Sequence, residues 1–223
     1  MNDFEVKCSG SKIYFRNRED AANKLIEILP IEKMRLEDWT VVASSFGGFS
    51  IAKIIAKKLD AQFKILFTEK VLAPNNEECE IAIVTESEEV VIHEELARSF
   101  DLSLDFIYSK SKYVYESMIL NKLSKFRSGE RIKDIKDKNI LLVDEGLNTG
   151  LTMMACIKTA INLGAKSVSV AIPILPNASI QTIESIADDL YYVESLDHFI
   201  SINYYYNELE EVTFEDIKNI KDK

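Results

Sequence analysis

The chain has little of what punctuates or cross-links a fold. Its 223 residues include seven glycines, four prolines, two histidines, one tryptophan and three cysteines. With so few breakers, no internal repeat and no low-complexity stretch, nothing marks a domain linker, and residues 1–223 read as a single domain. Cys8, Cys79 and Cys156 are odd in number, far apart and form no C-x-x-C pair. That argues against a disulfide framework or a zinc knuckle and leaves ordinary thiols in a reducing compartment. His93 and His198 are the only histidines, so no His cluster is available to a metal. Each reads as a structural or surface residue. No apolar run approaches the roughly 18 residues of a membrane span. The first residues carry Asp3 and Glu5 and lack the apolar core of a secretory signal, so a cytoplasmic location is expected. Positive charge is scarce as well, with 27 Lys and Arg against 37 Asp and Glu and a net charge of −10. Bulk attraction to nucleic acid or to an anionic membrane needs the opposite field, and neither is expected as a partner.

What the chain does have is apolar material, 47% of its residues, in helix and strand patterns that alternate from end to end. Such alternation predicts an α/β fold, a mostly parallel twisted sheet flanked by helices. Residues 17–29 carry Ala21, Ala22, Leu25, Ile26 and Leu29 at helical spacing, and Pro30 ends that helix. Thr40 to Ala43 reads as a buried strand, Gly47 and Gly48 open a helix through Leu59, and Phe63 to Phe67 forms the next strand. Residues 68–80 lack periodicity and carry Pro74, so they read as a long loop before strands at 81–85 and 90–92. Residues 102–127 are mostly helical, with a Lys-rich face that reads as solvated surface. Residues 139–143 form the clearest buried strand, 152–163 a helix closed by Gly164, and 167–172 another strand.

The segment from Asn139 to Gly164, NILLVDEGLNTGLTMMACIKTAINLG, carries the chemistry. It sets Asp144 and Glu145 at the C-terminal end of a buried strand, then a short Gly-punctuated loop, then a helix start, where open α/β sheets bind ligands. Backbone N–H groups of the loop, the hydroxyls of Thr149 and Thr152 and the positive helix end all favour a phosphate. The two acids instead suit sugar hydroxyls, or a magnesium ion that keeps most of its waters. A structural reading stays open, with Asp144 and Asn148 shaping a turn and Thr152 capping the helix. Other phosphate motifs fit worse, since no Lys follows the last Gly of the loop and no G-x-G-x-x-G occurs.

The stretch ILLVDEGLNTGLTM resembles the 5-phosphoribosyl 1-diphosphate (PRPP) motif of the type I phosphoribosyltransferases. Further likeness to a poorly characterised bacterial branch of that family runs through Phe15 to Ala21, through Lys70 with Ala73 to Asn76 and Glu78, and through Tyr205 to Leu209. The resemblance implies that Asp144 and Glu145 hold the ribose hydroxyls and, through water, Mg²⁺. It implies that Asn148, Thr149, Gly150, Leu151 and Thr152 cradle the 5-phosphate. The pyrophosphate loop would be Ser44, Ser45, Phe46, Gly47 and Gly48, with Phe46 standing where relatives tend to have a basic residue. Lys70, on the long loop, would then close over the pyrophosphate. The family's reaction transfers 5-phosphoribosyl to a nitrogenous base and releases pyrophosphate, and its fold adds a small hood, here expected from the N-terminal and C-terminal segments. The resemblance also leaves room for a homodimer.

Two other readings stay open. VVASSFGGFSIA also resembles the nucleophile elbow of α/β-hydrolases, with Ser45 as nucleophile and Asp188 or Asp197 with His198 as partners, although only about 40 residues precede it, too few for the strands that fold places there. The third reading, which Phe46 favours, is a phosphoribosyltransferase fold that senses PRPP or a nucleotide without turning it over. Tyr204, Tyr205 and Tyr206 either stack on a base or pack in the core.

Overall fold

The computed structural model describes residues 13–74 and 76–221; Cys8 and Asn75 lie outside them. In chain order the elements are α1 (Arg18–Ile28), α2 (Ile31–Met34), β1 (Trp39–Ala43), α3 (Phe49–Leu59), β2 (Gln62–Ile65), β3 (Thr68–Ala73), β4 (Asn76–Thr85) and β5 (Val90–Ile92). Then come α4 (Glu94–Ser99), α5 (Leu104–Val114), a π-helical turn (Tyr115–Ile119), α6 (Leu120–Arg127) and β6 (Asn139–Val143). The chain continues through α7 (Leu151–Asn162), β7 (Ser167–Pro176), α8 (Asn177–Glu184), β8 (Asp189–Leu196), a 3₁₀ turn (Ile202–Tyr205) and α9 (Phe214–Lys221).

Five strands form one parallel sheet in the order β2-β1-β6-β7-β8. Its centre is β6, whose five residues are all buried, as a strand covered on both faces must be. Alternate residues serve two cores, as the two-residue period of a strand requires. Leu141 and Val143 join Leu25 of α1 and Ile51 and Ile55 of α3 on one face, while Ile140 and Leu142 join Met153 and Ile157 of α7 and Ile183 of α8 on the other. The sheet is thus flanked by helices on both sides, as expected. Its order reverses between β1 and β6, so the chain leaves these two neighbours in opposite directions and opens a crevice at their C-terminal ends.

Residues 68–80 are not a long loop. They form β3 and the start of β4, paired antiparallel with a bulge near Leu72, and β5 completes a second, three-stranded sheet. The missed pattern has a physical cause: β3 alternates only partly, with Val71 and Ala73 buried between exposed or half-buried neighbours, and Pro74 and Asn76 sit at the hairpin end. Helix α7 is wedged between the sheets, with Leu151 and Ala155 against Ile83 and Val91. Strand β7 runs four residues beyond the expected 172, and β8 was not read from the sequence because all but its first residue are half-buried, without a polar-apolar rhythm.

Glu86, fully buried just past the end of β4, ties the second sheet to the first. It accepts hydrogen bonds from the backbone N–H of Phe67 (2.9 Å) and Ile132 (2.8 Å) and from Arg127 Nη2 (2.6 Å to each oxygen). The segments at the two ends of the described chain are also joined. Tyr14 and Phe15 donate to the Tyr205 carbonyl, and Asn207 and Glu208 donate to the carbonyls of Phe15 and Arg16. Glu86→Ala is expected to cost about 3–5 kcal/mol of stability, because it strands the Arg127 guanidinium without its counter-charge. Urea titration of the two proteins checks this, and a loss below about 1 kcal/mol, the scale of an exposed pair, would refute the role.

Candidate active site

Parallel pairing of β1 with β6 sets Ala43 beside Val143 and brings the two following loops together. The Ser44 N–H donates to the Val143 carbonyl (3.1 Å), extending the register by one residue. Asp144 then becomes the knot of the crevice. Its Oδ2 accepts from Ser44 Oγ (2.6 Å), and its Oδ1 accepts from Ser45 Oγ (2.5 Å) and from the Glu145 N–H (2.8 Å). Ser45 Oγ in turn accepts from the Gly48 N–H (3.1 Å). The loop can lie this close only because Gly48 has no side chain. A Cβ there would stand 2.7 Å from the Asp144 Cα and the Val143 carbonyl oxygen.

Glu145 is held differently. Arg18, at the start of α1, donates from Nε to Glu145 Oε2 (2.7 Å) and to the Gly47 carbonyl (3.0 Å), and its Nη2 stands 2.7 Å from the same carboxylate oxygen. Tyr206 donates its hydroxyl to the Glu145 carbonyl (2.7 Å). Burial pushes the Asp144 carboxyl above its ordinary range, against the three donors that favour its ionised form. Glu145 is also raised, by burial and then by the Asp144 charge, with Arg18 opposing both. Burial likewise raises Cys156, packed beneath the site.

Beyond the acids, the loop from Asn148 to Thr152 leads into α7. Asn148 and Thr149 are exposed, and the helix starts at Leu151 with Gly150 as its N-cap. Gly150 has φ +78°, the left-handed region that glycine enters without strain, and it takes the cap role that the sequence placed on Thr152. The N-terminal N–H groups of α7 therefore face the same opening as the acids. Ser45, Lys70, Asp144, Glu145 and the loop from Asn148 to Thr152 line one cleft of about 610 Å³. Ser201, Ile202 and Asn203 close its other side.

The expected pyrophosphate loop thus sits beside the acids, but its serine hydroxyls are already committed to Asp144. Lys70 rides on β3 instead of a loop and is ion-paired with Glu80 on β4. Phe46 turns away from the cleft into a cluster with Phe67 (6.2 Å between ring centres) and Phe214 of α9 (6.1 Å). Sequence reasoning gave no role to Arg18, whose only signal was its place in the block from Phe15 to Ala21. It also missed Lys122, read as part of a solvated face, whose Nζ lies 4.5 Å from the centre of the Phe46 ring.

The hydrolase geometry is not built. Ser45 donates to a carboxylate instead of an imidazole, Asp188 accepts from the Val168 N–H, and Asp197 accepts from Asn177. His93 caps α4 by accepting from the Leu96 N–H (3.4 Å). Tyr205 and Tyr206 are buried against Phe199 and Phe15, so two of the three tyrosines pack in the core. Among the described residues no group of three or more His, Cys, Asp or Glu is placed to hold a metal, and no helix is long and apolar enough to cross a membrane.

Comparison with known proteins agrees with this architecture. The chain is 25% identical over 179 residues to proteins of two Mycobacterium tuberculosis strains, CDC 1551 and H37Rv, whose names assign them to the phosphoribosyl transferases only provisionally and without a substrate; the match takes in 79% of the chain but only 39% of their length. Its fold is similar to that of the protein TT1426 from Thermus thermophilus (TM-score 0.73, 23% identity, 92% of this chain and 96% of that one). A purine phosphoribosyltransferase from Pyrococcus horikoshii shares the fold more loosely (TM-score 0.50, 16% identity, 90% and 96% covered). The family described as the phosphoribosyl transferase domain matches residues 11–207, a span that takes in both loops, the acid pair and the Tyr206 contact, and the chain belongs to that family.

Proposed function

We propose that the chain binds PRPP in the cleft at the β1–β6 crevice and transfers its phosphoribosyl group to a nitrogenous base. The observation that carries this reading is the convergence of two acids and a helix N-terminus on one cleft, acceptors for ribose hydroxyls beside donors for a phosphate. Asn148, Thr149, Gly150, Leu151 and Thr152 take the 5-phosphate, and Asp144 and Glu145 accept from the ribose hydroxyls. In the reaction the C1–O bond breaks with its electron pair leaving on pyrophosphate, and a base nitrogen forms the new bond to C1 and gives its proton to solvent. Positive charge builds on the ribose ring as the bond breaks, and carboxylates beneath it lower the barrier electrostatically.

With two acids and, among the described residues, no third ligand, the protein offers Mg²⁺ an outer cage and not a full shell. Asp144 and Glu145 would hold it through water, and the ion would neutralise the diphosphate. The segments around Tyr14 to Arg16 and Ser201 to Val212 serve as the hood, with Asn203, Leu209 and Val212 lining a second cavity of about 410 Å³ that shares Ser45 and Glu145 with the main cleft. This is where the base would sit. A sensor that binds PRPP without turnover is the second reading. Phe46 favours it, because the ring leaves the 44–48 loop without a cation of its own.

Pyrophosphate release with Mg²⁺, PRPP and a panel of purine and pyrimidine bases separates the readings. Turnover with one base supports transfer, PRPP binding without release supports sensing, and absence of PRPP binding removes both. Replacing both acids, Asp144→Asn with Glu145→Gln, is expected to lower stability, since Arg18 loses its counter-charge, and to weaken Mg-PRPP binding by the folded chain at least about tenfold, since a hydrogen bond to a charged group is worth about 1.5–3 kcal/mol. Unchanged affinity by calorimetry would sink the assignment.

The raised carboxyls also give a pH signature. Protonation removes their charge and turns one acceptor oxygen of each into a donor, so affinity for ribose 5-phosphate should fall on acidification while the pH is still above the ordinary 3.8 of Asp and 4.5 of Glu. Their contribution to the stability of the ligand-free chain moves the other way. Groups that hold protons more tightly folded than unfolded stabilise the fold below their unfolded values, and that contribution is lost as pH rises through the folded ones. The difference in melting temperature between the native chain and the Asp144→Asn, Glu145→Gln variant, measured across the same pH series as the affinity difference, should therefore run opposite to it, and parallel curves would contradict the assignment.

A further inference from the structure

We propose that Lys122, on α6 and far from the motif in sequence, is the cation that receives the diphosphate of PRPP, and that Glu69 holds it in place until the anion arrives. The proposal rests on the phosphoribosyl reading of the main cleft. Beside that cleft lies a smaller cavity of about 200 Å³, lined by Ser45, Phe46, Thr68, Glu69, Lys70 and Lys122, with Thr152 at the shared edge. Ser45, Lys70 and Thr152 belong to both spaces, so a group bound between the acids and the 148–152 loop has this cavity as its neighbour.

Two lysines face it, and their surroundings differ. Lys70 is 60% exposed and paired with Glu80, so water screens its charge. Lys122 is 22% exposed and pairs with Glu69, itself 12% exposed, while its ammonium sits over the Phe46 ring. Phe46 is fixed by Phe67 and Phe214, so the ring that takes the place of a charged side chain in the loop becomes a platform for a cation delivered from another helix. Glu69 is therefore the anion that holds the Lys122 ammonium when no ligand is present. In this half-dry setting an anion with more charge and more acceptor oxygens than a single carboxylate competes for the same donors. When the C1–O bond breaks, its electrons go to the leaving diphosphate. Lys122 donates N–H bonds to that oxyanion and remains protonated, so no proton changes hands there.

The geometry also says what an arginine at position 46 would do. It would dissolve the ring cluster and set a second cation against Lys122, so Phe46→Arg is not a simple gain of charge.

Calorimetry with three probes tests the proposal: ribose 5-phosphate, magnesium pyrophosphate and Mg-PRPP. Lys122→Met keeps an apolar stem over Phe46. It is expected to bind ribose 5-phosphate as the native chain does but to lose about tenfold or more in affinity for the two diphosphate probes. Glu69→Gln should tighten both diphosphate probes, and the gain should vanish in the Lys122→Met background. If the native chain does not bind ribose 5-phosphate, the phosphoribosyl reading itself fails. If it binds, and Lys122→Met leaves the diphosphate probes unchanged, the reading stands and the role of Lys122 is overturned. Should Lys122→Met also lose ribose 5-phosphate, the decision passes to Glu69→Gln, whose failure to tighten the diphosphate probes overturns the proposal.

Discussion

Everything in the crevice depends on one buried carboxylate. Parallel pairing aligns β1 with β6 but does not specify how the loops beyond them lie, and Asp144 settles that by drawing Ser44, Ser45 and the Glu145 N–H onto its two oxygens. Burial opposes its charge and three donors support it, and the same donors hold the two loops in register. Gly48 allows the approach and Arg18 fixes the neighbouring acid against Gly47, so the 44–48 loop is bound from both sides by the residues it faces.

A second constraint is the pairing of charge around the opening. In an acidic chain the basic side chains near the cleft are each matched with a carboxylate: Arg18 with Glu145, Lys70 with Glu80 and Lys122 with Glu69. These pairs are not equivalent. The exposed one contributes little to stability, whereas the shielded ones cannot lose a partner without leaving a desolvated charge. On the proposed reading, a phosphate-bearing ligand would enter by exchanging one anion for another, and burial would decide which lysine gains most from the exchange.

The second sheet has a positional role in this scheme. Glu86 locks its base to Phe67, Arg127 and Ile132, α7 is wedged between the two sheets, and β3 carries Lys70 along the wall of the cleft and Glu69 along that of the smaller cavity beside it. Phe214 of α9 closes the ring cluster behind Phe46, so α9 reaches the site through packing.

The sequence by itself determined the central parallel strands, the helices flanking them and the place of the acid pair and the loop from Asn148 to Thr152. Those features are local: five consecutive residues of a buried strand at 139–143, two acids, a glycine and a helix with one apolar face can be read within 26 residues of chain. It misread 68–80, because a short strand packed on one face with a bulge near Leu72 has no clean period. It did not reveal Arg18 facing Glu145, or Ser44 and Ser45 facing Asp144, and it mistook Lys122 for solvated surface. Those contacts join residues 99 to 127 positions apart, or rings and a lysine from three separate elements, and no spacing rule encodes them. A side chain's charge is written in the sequence, but its partner and its access to water are set only when the sheets close around it. The tertiary structure alone decided which acid is buried, which lysine is shielded and which aromatic ring a cation rests on.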